Sequence, residues 1–294
     1  MNRNMTIFEA YQEASSFLTQ KEIGQDVKNV CLIMLQHVLS VDHSTLLLRW
    51  HDPFPAQQLA QWQQMVQRKA KGEPVQYIVG EQHFYGLPFH VTQDVLIPRP
   101  ETELLVEHIL QMSELQPSHK KWCAVDIGTG SGAIAVTLAY ERPNWNVCAS
   151  DLSSSALQIA QRNAKHHNVN HIAWAEGDLL QPWIEKKQHI DILISNPPYI
   201  PTEDVKQLQV EVVMHEPGSA LDGGEDGLDF YRTLVKQLEQ LPTYPNVIGF
   251  EVGIGQADDV AELLRSTGTY EVEIIKDYNE IERHVIGLST SWVS

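Results

Sequence analysis

Cysteine is scarce in this chain of 294 residues: Cys31, Cys123 and Cys148 are few, odd in number and widely separated. That excludes a disulfide framework, and the lack of any C-x-x-C pair speaks against a zinc site. Cys123 and Cys148 lie in apolar runs and read as buried thiols. Long hydrophobic runs are also missing. Nothing approaches the roughly 20 apolar residues that cross a bilayer, and no signal-peptide stretch opens the chain. The expected setting is the cytoplasm, without a membrane partner. Basic clusters are absent too, apart from Arg68, Lys69 and Lys71, and the formal net charge is −17. A protein that wraps nucleic acid neutralises phosphates with Lys and Arg, so direct nucleic-acid binding is not expected. An acidic surface suits a basic protein partner, although solubility alone gives the same balance. His166, His167 and His171 straddle a helix end and a strand start; they read as solvated turn residues, and no metal is expected.

What is present falls into two grammars. The first seventy or so residues are helical. Thr6 and Glu9 have the spacing of a capping box. Val27, Val30, Cys31, Met34, Leu35, Val38 and Leu39 form one helical stripe. After the breaks at Pro53 and Pro55, a further helix carries Leu59, Trp62, Met65 and Val66, until Gly72-Glu73-Pro74 ends it. Residues 1–74 are thus expected to be a small helical bundle, either a recognition module or a structural cap. Across 75–95 the period changes. Tyr77-Ile78-Val79, Phe84-Tyr85 and Phe89-His90-Val91 look like short strands, a β-hairpin linker.

Residues 96–294 form the main domain, and from about Trp122 they alternate strand and helix. Strands are expected at 122–126, 145–150, 171–175, 190–195, 246–252, 270–275 and 283–288, with helices at 131–140, 154–164, 229–240 and 256–265. This is the pattern of an α/β fold with a doubly wound, mostly parallel seven-stranded sheet. The last two strands are joined too closely for a helical crossover and should pair antiparallel.

In such sheets ligands bind beyond the carboxyl ends of the strands. Asp126-Ile127-Gly128-Thr129-Gly130-Ser131-Gly132 sits where the first strand of the main domain turns into a helix. Glycines there let a ligand lie against bare backbone, beside free helix amides. Asp151 ends the second strand about twenty residues on, the place from which a carboxylate holds ribose hydroxyls. Gly177-Asp178 ends the third, where a side chain meets an adenine amino group. Each acidic residue alone reads as a turn former or cap. Asp126, Asp151, Asp178 and Asn196 in succession favour a nucleoside-bearing cofactor.

The chemistry is selected by Ser195-Asn196-Pro197-Pro198-Tyr199-Ile200-Pro201. Two prolines stiffen the loop and remove two backbone donors, leaving a rigid line of acceptors. The Asn196 side-chain oxygen and the Pro197 carbonyl can each accept a hydrogen of a planar NH2 group, while Tyr199 can pack on its π-face. An amide nitrogen is a poor nucleophile because its lone pair is delocalised. Fixed acceptors favour its pyramidalisation and stabilise the positive charge that grows on it.

These residues resemble class I S-adenosylmethionine methyltransferases, and specifically the release factor glutamine methyltransferase (PrmC/HemK) family. Asn196 to Tyr199 are shared with enzymes that methylate base amino groups; the narrower resemblance rests on other segments. They are Gly72 to Gly80, Phe84-Tyr85-Gly86, Leu96 to Glu103, His215-Glu216-Pro217, Ala220 to Gly224 with Gly227-Leu228, and Phe250 to Gly253 with Gly255-Gln256. The resemblance implies S-adenosyl-L-methionine as cofactor, bound by Gly128, Thr129, Gly130, Ser131, Gly132, Asp151, Asp178 and Asn196. Leu179 would line the adenine pocket, where an aromatic is common in the family. The substrate glutamine, in a Gly-Gly-Gln loop of peptide-chain release factors, would be held by Asn196, Pro197, Pro198 and Tyr199, with Asn196, Pro197 and Tyr199 catalytic. The bundle would help grip the release factor, and the protein is expected to be a monomer.

Three other readings compete. A nucleic-acid adenine methyltransferase shares Asn196 to Tyr199 but calls for a basic groove and a base-flipping pocket. A non-catalytic binding module would be expected to break the Gly128 to Gly132 loop or Asn196. A dehydrogenase calls for different glycine spacing.

Overall fold

The computed structural model describes residues 5–21, 26–114 and 121–293, so part of the expected bundle at 1–74 lies outside the described residues. The chain divides into two compact units. One takes Met1–Glu81 with Gln209–His215, the other Gln82–Leu208 with Glu216–Ser294.

The first unit is helical: α1 (Ile7–Gln20), α2 (Val27–Leu39), α3 (His43–Leu48), α4 (Leu59–Lys69) and α5 (Val75–Val79). The capping box starts α1, with the Thr6 hydroxyl accepting from the Glu9 amide and the Glu9 carboxylate from the Thr6 amide. Ile7, Ala10, Ala14 and Leu18 fall on one face of α1 and pack with Cys31, Met34 and Leu35 of α2 and Trp62 and Met65 of α4. Each large apolar side chain so buried contributes about 1.5–3 kcal/mol. Lys69, 4% exposed, is held by Glu211 at 2.6 Å and the Glu73 carbonyl at 3.2 Å. A buried ammonium needs such partners.

Tyr77-Ile78-Val79, expected to be extended, belongs to α5. Pro74 stands at its N-cap with φ −53°, and Gly80 closes it in the left-handed region at φ 78°. Val75 and Ile78, one helical turn apart, both enter the bundle core. The β-branched run therefore follows its caps and its burial rather than its propensity. The hairpin of the expected 75–95 linker is confined to β1 (Glu81–Phe84) and β2 (Leu87–His90). Tyr85 and Gly86 join them, both at positive φ, as a two-residue primed turn requires.

The second unit continues with α6 (Pro100–Glu114), β3 (Cys123–Ile127), α7 (Ala133–Glu141), β4 (Asn146–Asp151), α8 (Ser154–His166), β5 (Ala173–Glu176), β6 (Ile192–Ser195), β7 (Val247–Glu251), β8 (Tyr270–Lys276) and β9 (Glu282–Ser289). The strands lie in the order β5-β4-β3-β6-β7-β9-β8. The first five are parallel, and β9 runs antiparallel to both β7 and β8. This is the expected sheet. Residues of β3 alternate between two cores. Ala124 packs with Leu105, Ile109 and Val136 on one face; Val125 and Ile127 pack with Tyr231, Leu234 and Val260 on the other. Burial on both faces explains the unbroken apolar runs of the parallel strands. No helix among the described residues is long and apolar enough to cross a membrane.

The candidate active site

Parallel pairing of β3, β4 and β6 brings their carboxyl ends to one edge of the sheet, where a cavity of about 830 Å³ opens. Its wall includes Gly128, Thr129, Gly130, Ser131, Asp151, Asp178, Leu179, Asn196, Pro197 and Pro198. Gly132 and Tyr199 are not part of it.

The glycine loop hangs from the end of β4, since the Gly128 and Thr129 amides both donate to the Ser150 carbonyl. Gly128 and Gly130 have φ of +71° and +54°, and a Cβ built on either would meet no protein atom within 4 Å. The loop thus needs glycine for its backbone and leaves bare amide surface toward open space, which fits a ligand lying along it. Gly132 serves differently. A Cβ there would stand 3.0 Å from the Ala160 Cβ, so this glycine lets α7 approach α8.

Asp126 lies beneath the loop and is 1% exposed. One of its oxygens accepts from the Thr129 hydroxyl and, at 3.2 Å, from the Ala135 amide. It therefore ties both ends of the strand-to-helix turn together. Burial pushes its carboxyl up to about 7, against those two hydrogen bonds. Asp151 takes the Gly130 amide on one oxygen and the Ser153 amide on the other, each at 2.8 Å. Its carboxylate is thereby aimed, with lone pairs left for a ligand's hydroxyls. Desolvation raises this group as well, opposed by the backbone amides. Leu179 sits in the left-handed region at φ 50°, and its carbonyl accepts from the Ser150 hydroxyl.

On the other side, Asn196 follows β6. Its Nδ2 donates to Thr102 Oγ1 at 3.0 Å, and Thr102 Oγ1 donates to Glu251 Oε2 at 2.6 Å. Thr102, on α6, also lines the cavity. Glu251 ends β7 and is 1% exposed; burial pushes its carboxyl up to about 7. Tyr199 turns back into the protein, with its hydroxyl 3.4 Å from Glu251 Oε1. Burial, reinforced by the Glu251 charge, drives its phenol well above the ordinary range, so it stays a donor. Gln256 Nε2 donates to the Tyr199 carbonyl at 2.8 Å. A Cβ on Gly223 would stand 2.8 Å from Tyr199 Cα, and one on Gly227 would strike the Tyr199 carbonyl. The loop after the motif can fold over Tyr199 only because glycine stands there.

Residues 9–80 match the PrmC N-terminal domain and residues 100–226 the methyltransferase small domain. A release factor glutamine methyltransferase of Bacillus anthracis is 40% identical over 282 residues, covering 96% of this chain and 98% of its own. The enzyme of that name from Bacillus subtilis (strain 168) is 41% identical over 285 residues, with the same coverage of each. The chain belongs to the release factor glutamine methyltransferase family. Among solved structures, the N-terminal domain of human METTL16 in complex with SAH matches with a TM-score of 0.53, covering 94% of each chain at 15% identity. At that identity the likeness speaks for the methyltransferase fold alone.

Thr102 and Glu251 stand inside the family-like segments Leu96 to Glu103 and Phe250 to Gly253, but the sequence assigns neither a role at the site. Thr102 looks like a helix residue between two glutamates, and Glu251 like the polar end of an apolar strand. A carboxylate directly after Val247-Ile248-Gly249-Phe250 is the signal that was available. The acidic stretch after the motif, Asp222 to Asp229, is tied down by hydrogen bonds and an ion pair. Asp222 accepts from the Thr202 hydroxyl and the Gly224 amide. Asp226 pairs with Arg232, whose hydrogen bonds hold its carboxyl down to about 2. Arg99, on the cavity wall, donates to both oxygens of Glu216 at 2.7 and 2.8 Å. His167 is not simply solvated as expected: its Nε2 donates to the Pro88 carbonyl at 2.8 Å, and its ring packs on Phe89.

Proposed function

We propose that the protein transfers a methyl group from S-adenosylmethionine to the side-chain amide nitrogen of the glutamine in the Gly-Gly-Gln loop of peptide-chain release factors. The observation that carries this reading is one cavity walled on one side by the bare glycine loop and on the other by Asn196-Pro197-Pro198. Family membership supports the substrate. When bound, S-adenosylmethionine supplies an electrophilic methyl on a sulfonium sulfur. Gly128 to Ser131 would hold its amino-acid end along their amides, Asp151 its ribose hydroxyls, and Asp178 and Leu179 its adenine.

The chain's own part in the chemistry lies at the substrate amide. Asn196 Oδ1 and the Pro197 carbonyl accept the two N–H hydrogens and fix the nitrogen's orientation. Because both are acceptors, they favour the pyramidal nitrogen and the positive charge that develops there, without reorganising. Held in line, the nitrogen forms its bond to the methyl carbon as the carbon–sulfur bond breaks to leave a neutral thioether, and it then gives up one N–H proton to solvent. Tyr199, anchored on Glu251 and Gln256, keeps the two-proline loop in place. The helical unit would grip the release factor. Its removal through Gly80 should raise KM for an intact release factor while leaving cofactor affinity nearly unchanged; equal loss of both would make it a structural cap.

The decisive test is mass spectrometry of a recombinant release factor incubated with the protein and labelled S-adenosylmethionine. One methyl group on the Gly-Gly-Gln glutamine is expected. Preferential methylation of DNA or RNA would overturn the reading.

A further inference from the structure

An asparagine amide is nearly symmetric in shape, and only its surroundings decide which end faces a ligand. In the cavity this choice decides function. A substrate NH2 needs acceptors, and an Asn196 turned by half a rotation would confront it with a second NH2. The side chain therefore needs a reason to keep its oxygen inward.

Thr102 supplies that reason because a hydroxyl has one proton. With the Glu251 carboxylate ionised, as it is above about pH 7, that proton is committed to Glu251 Oε2 at 2.6 Å, so toward Asn196 the Thr102 oxygen can only accept. The amide end at 3.0 Å is accordingly Nδ2, and Oδ1 is the end without a partner among the described residues. Glu251 is itself fixed. It is the last residue of β7, paired with His284 of β9, and its carbonyl accepts from the Tyr231 hydroxyl at 2.6 Å. Thr102 is 4% exposed and Glu251 1%, so their hydrogen bond is largely shielded from water.

We propose that Thr102 and Glu251 are positioning residues whose hydrogen-bond direction holds the Asn196 amide with its oxygen toward the substrate nitrogen. The inference rests on the reading that Asn196 accepts a hydrogen of that nitrogen. The same carboxylate also receives the Tyr199 hydroxyl on its other oxygen. One buried acid thus governs two residues of the Asn196 to Tyr199 loop from behind.

The test is single-turnover methyl transfer to a release factor at saturating cofactor, on the full chain. T102V removes the hydroxyl at nearly constant volume. It should slow transfer on the order of tenfold or more, as loss of a preorganised polar contact does, with little change in cofactor affinity. T102S keeps the hydroxyl and should recover most of the rate. E251L, which frees the Thr102 proton to turn toward Asn196, should lose at least as much as T102V. The critical comparison is T102V combined with N196A. If Thr102 acts through Asn196, the double variant is no slower than N196A alone; a merely structural role would multiply the two losses. A wild-type rate in T102V, or multiplied losses in the double variant, overturns the proposal while leaving the function intact. A wild-type rate in N196A alone defeats the reading of Asn196, and this inference with it. Should E251L fail to fold, the cycle between Thr102 and Asn196 still decides.

Discussion

The two sides of the cavity are built on opposite plans. The glycine loop offers backbone, and its buried acid, Asp126, holds backbone and a hydroxyl so that the turn keeps its shape. The Asn196 loop offers a side chain, and its buried acid, Glu251, aims that side chain through Thr102. Asp126 leaves one oxygen, Oδ1, without a partner; Glu251 engages both. A cofactor with many polar atoms can be met by fixed amides. A single NH2 hydrogen needs an acceptor of known direction, and that takes a chain of hydrogen bonds. The comparison can be broken at several points.

The largest effect should be on stability against pH. Glu251 titrates at about 7 in the folded protein, raised first by burial, and near the usual carboxylate value when unfolded. Between about pH 4.5 and 7 the folded state keeps a proton that the unfolded state has lost, so this group makes stability fall as pH rises. Groups facing it include Thr102 and Glu101 from α6, Tyr199, and Arg283 from β9. His284, lowered to about 4 by burial, works in the opposite direction up to about 6.5, so wild type alone is a poor probe. Measured against wild type, E251Q should gain stability on the order of 3 kcal/mol between pH 5 and 8. Denaturant midpoints at the two pH values give the number. A difference that stays constant with pH would show that Glu251 is ionised throughout.

Next comes chemistry. N196A should depress kcat by about a hundredfold or more, by analogy with removal of an oxyanion-hole donor. A smaller effect is expected on release factor binding. Single-turnover rates at saturating cofactor separate the two. D151A should weaken cofactor binding by about 1–3 kcal/mol, the cost of removing a charged acceptor. Calorimetry with S-adenosylmethionine checks this, and unchanged affinity would take Asp151 out of the site.

How much of this was legible in the sequence follows from which signals are local. The sheet showed because each parallel strand is apolar on both faces and each helix is not. Asn196 to Tyr199 showed because two adjacent prolines after a strand have few other uses. Helix α6 gave no expectation at all, although Pro100 with Glu101 and Glu103 in its first turn is a helix start. Thr102 and Glu251 were illegible for a deeper reason. They are 149 positions apart; parallel pairing of β6 and β7 brings Glu251 beside Asn196, and the packing of α6 on β7 brings Thr102 to both.

The three glycines of the motif look equivalent in sequence, and the structure separates them, which gives the smallest and sharpest expected difference. Gly130 and Gly132 both have positive φ, so alanine at either costs about 1–2 kcal/mol from the left-handed backbone alone. Beyond that they diverge. A Cβ on Gly130 enters open space on the cavity side, where a ligand along the loop would meet it. G130A should therefore lose cofactor affinity as well as stability. A Cβ on Gly132 meets the Ala160 Cβ at 3.0 Å and Val136 Cγ2 at 3.3 Å, away from the cavity wall. G132A should lose more stability than G130A, because α7 and α8 must part slightly. Its affinity for S-adenosylmethionine, measured on the folded fraction, should stay near wild type. Calorimetry and denaturant unfolding on the pair distinguish the roles. If G132A loses as much affinity as G130A, Gly132 belongs to the cofactor site after all, and the loop acts as one unit rather than as a cradle with a separate packing joint.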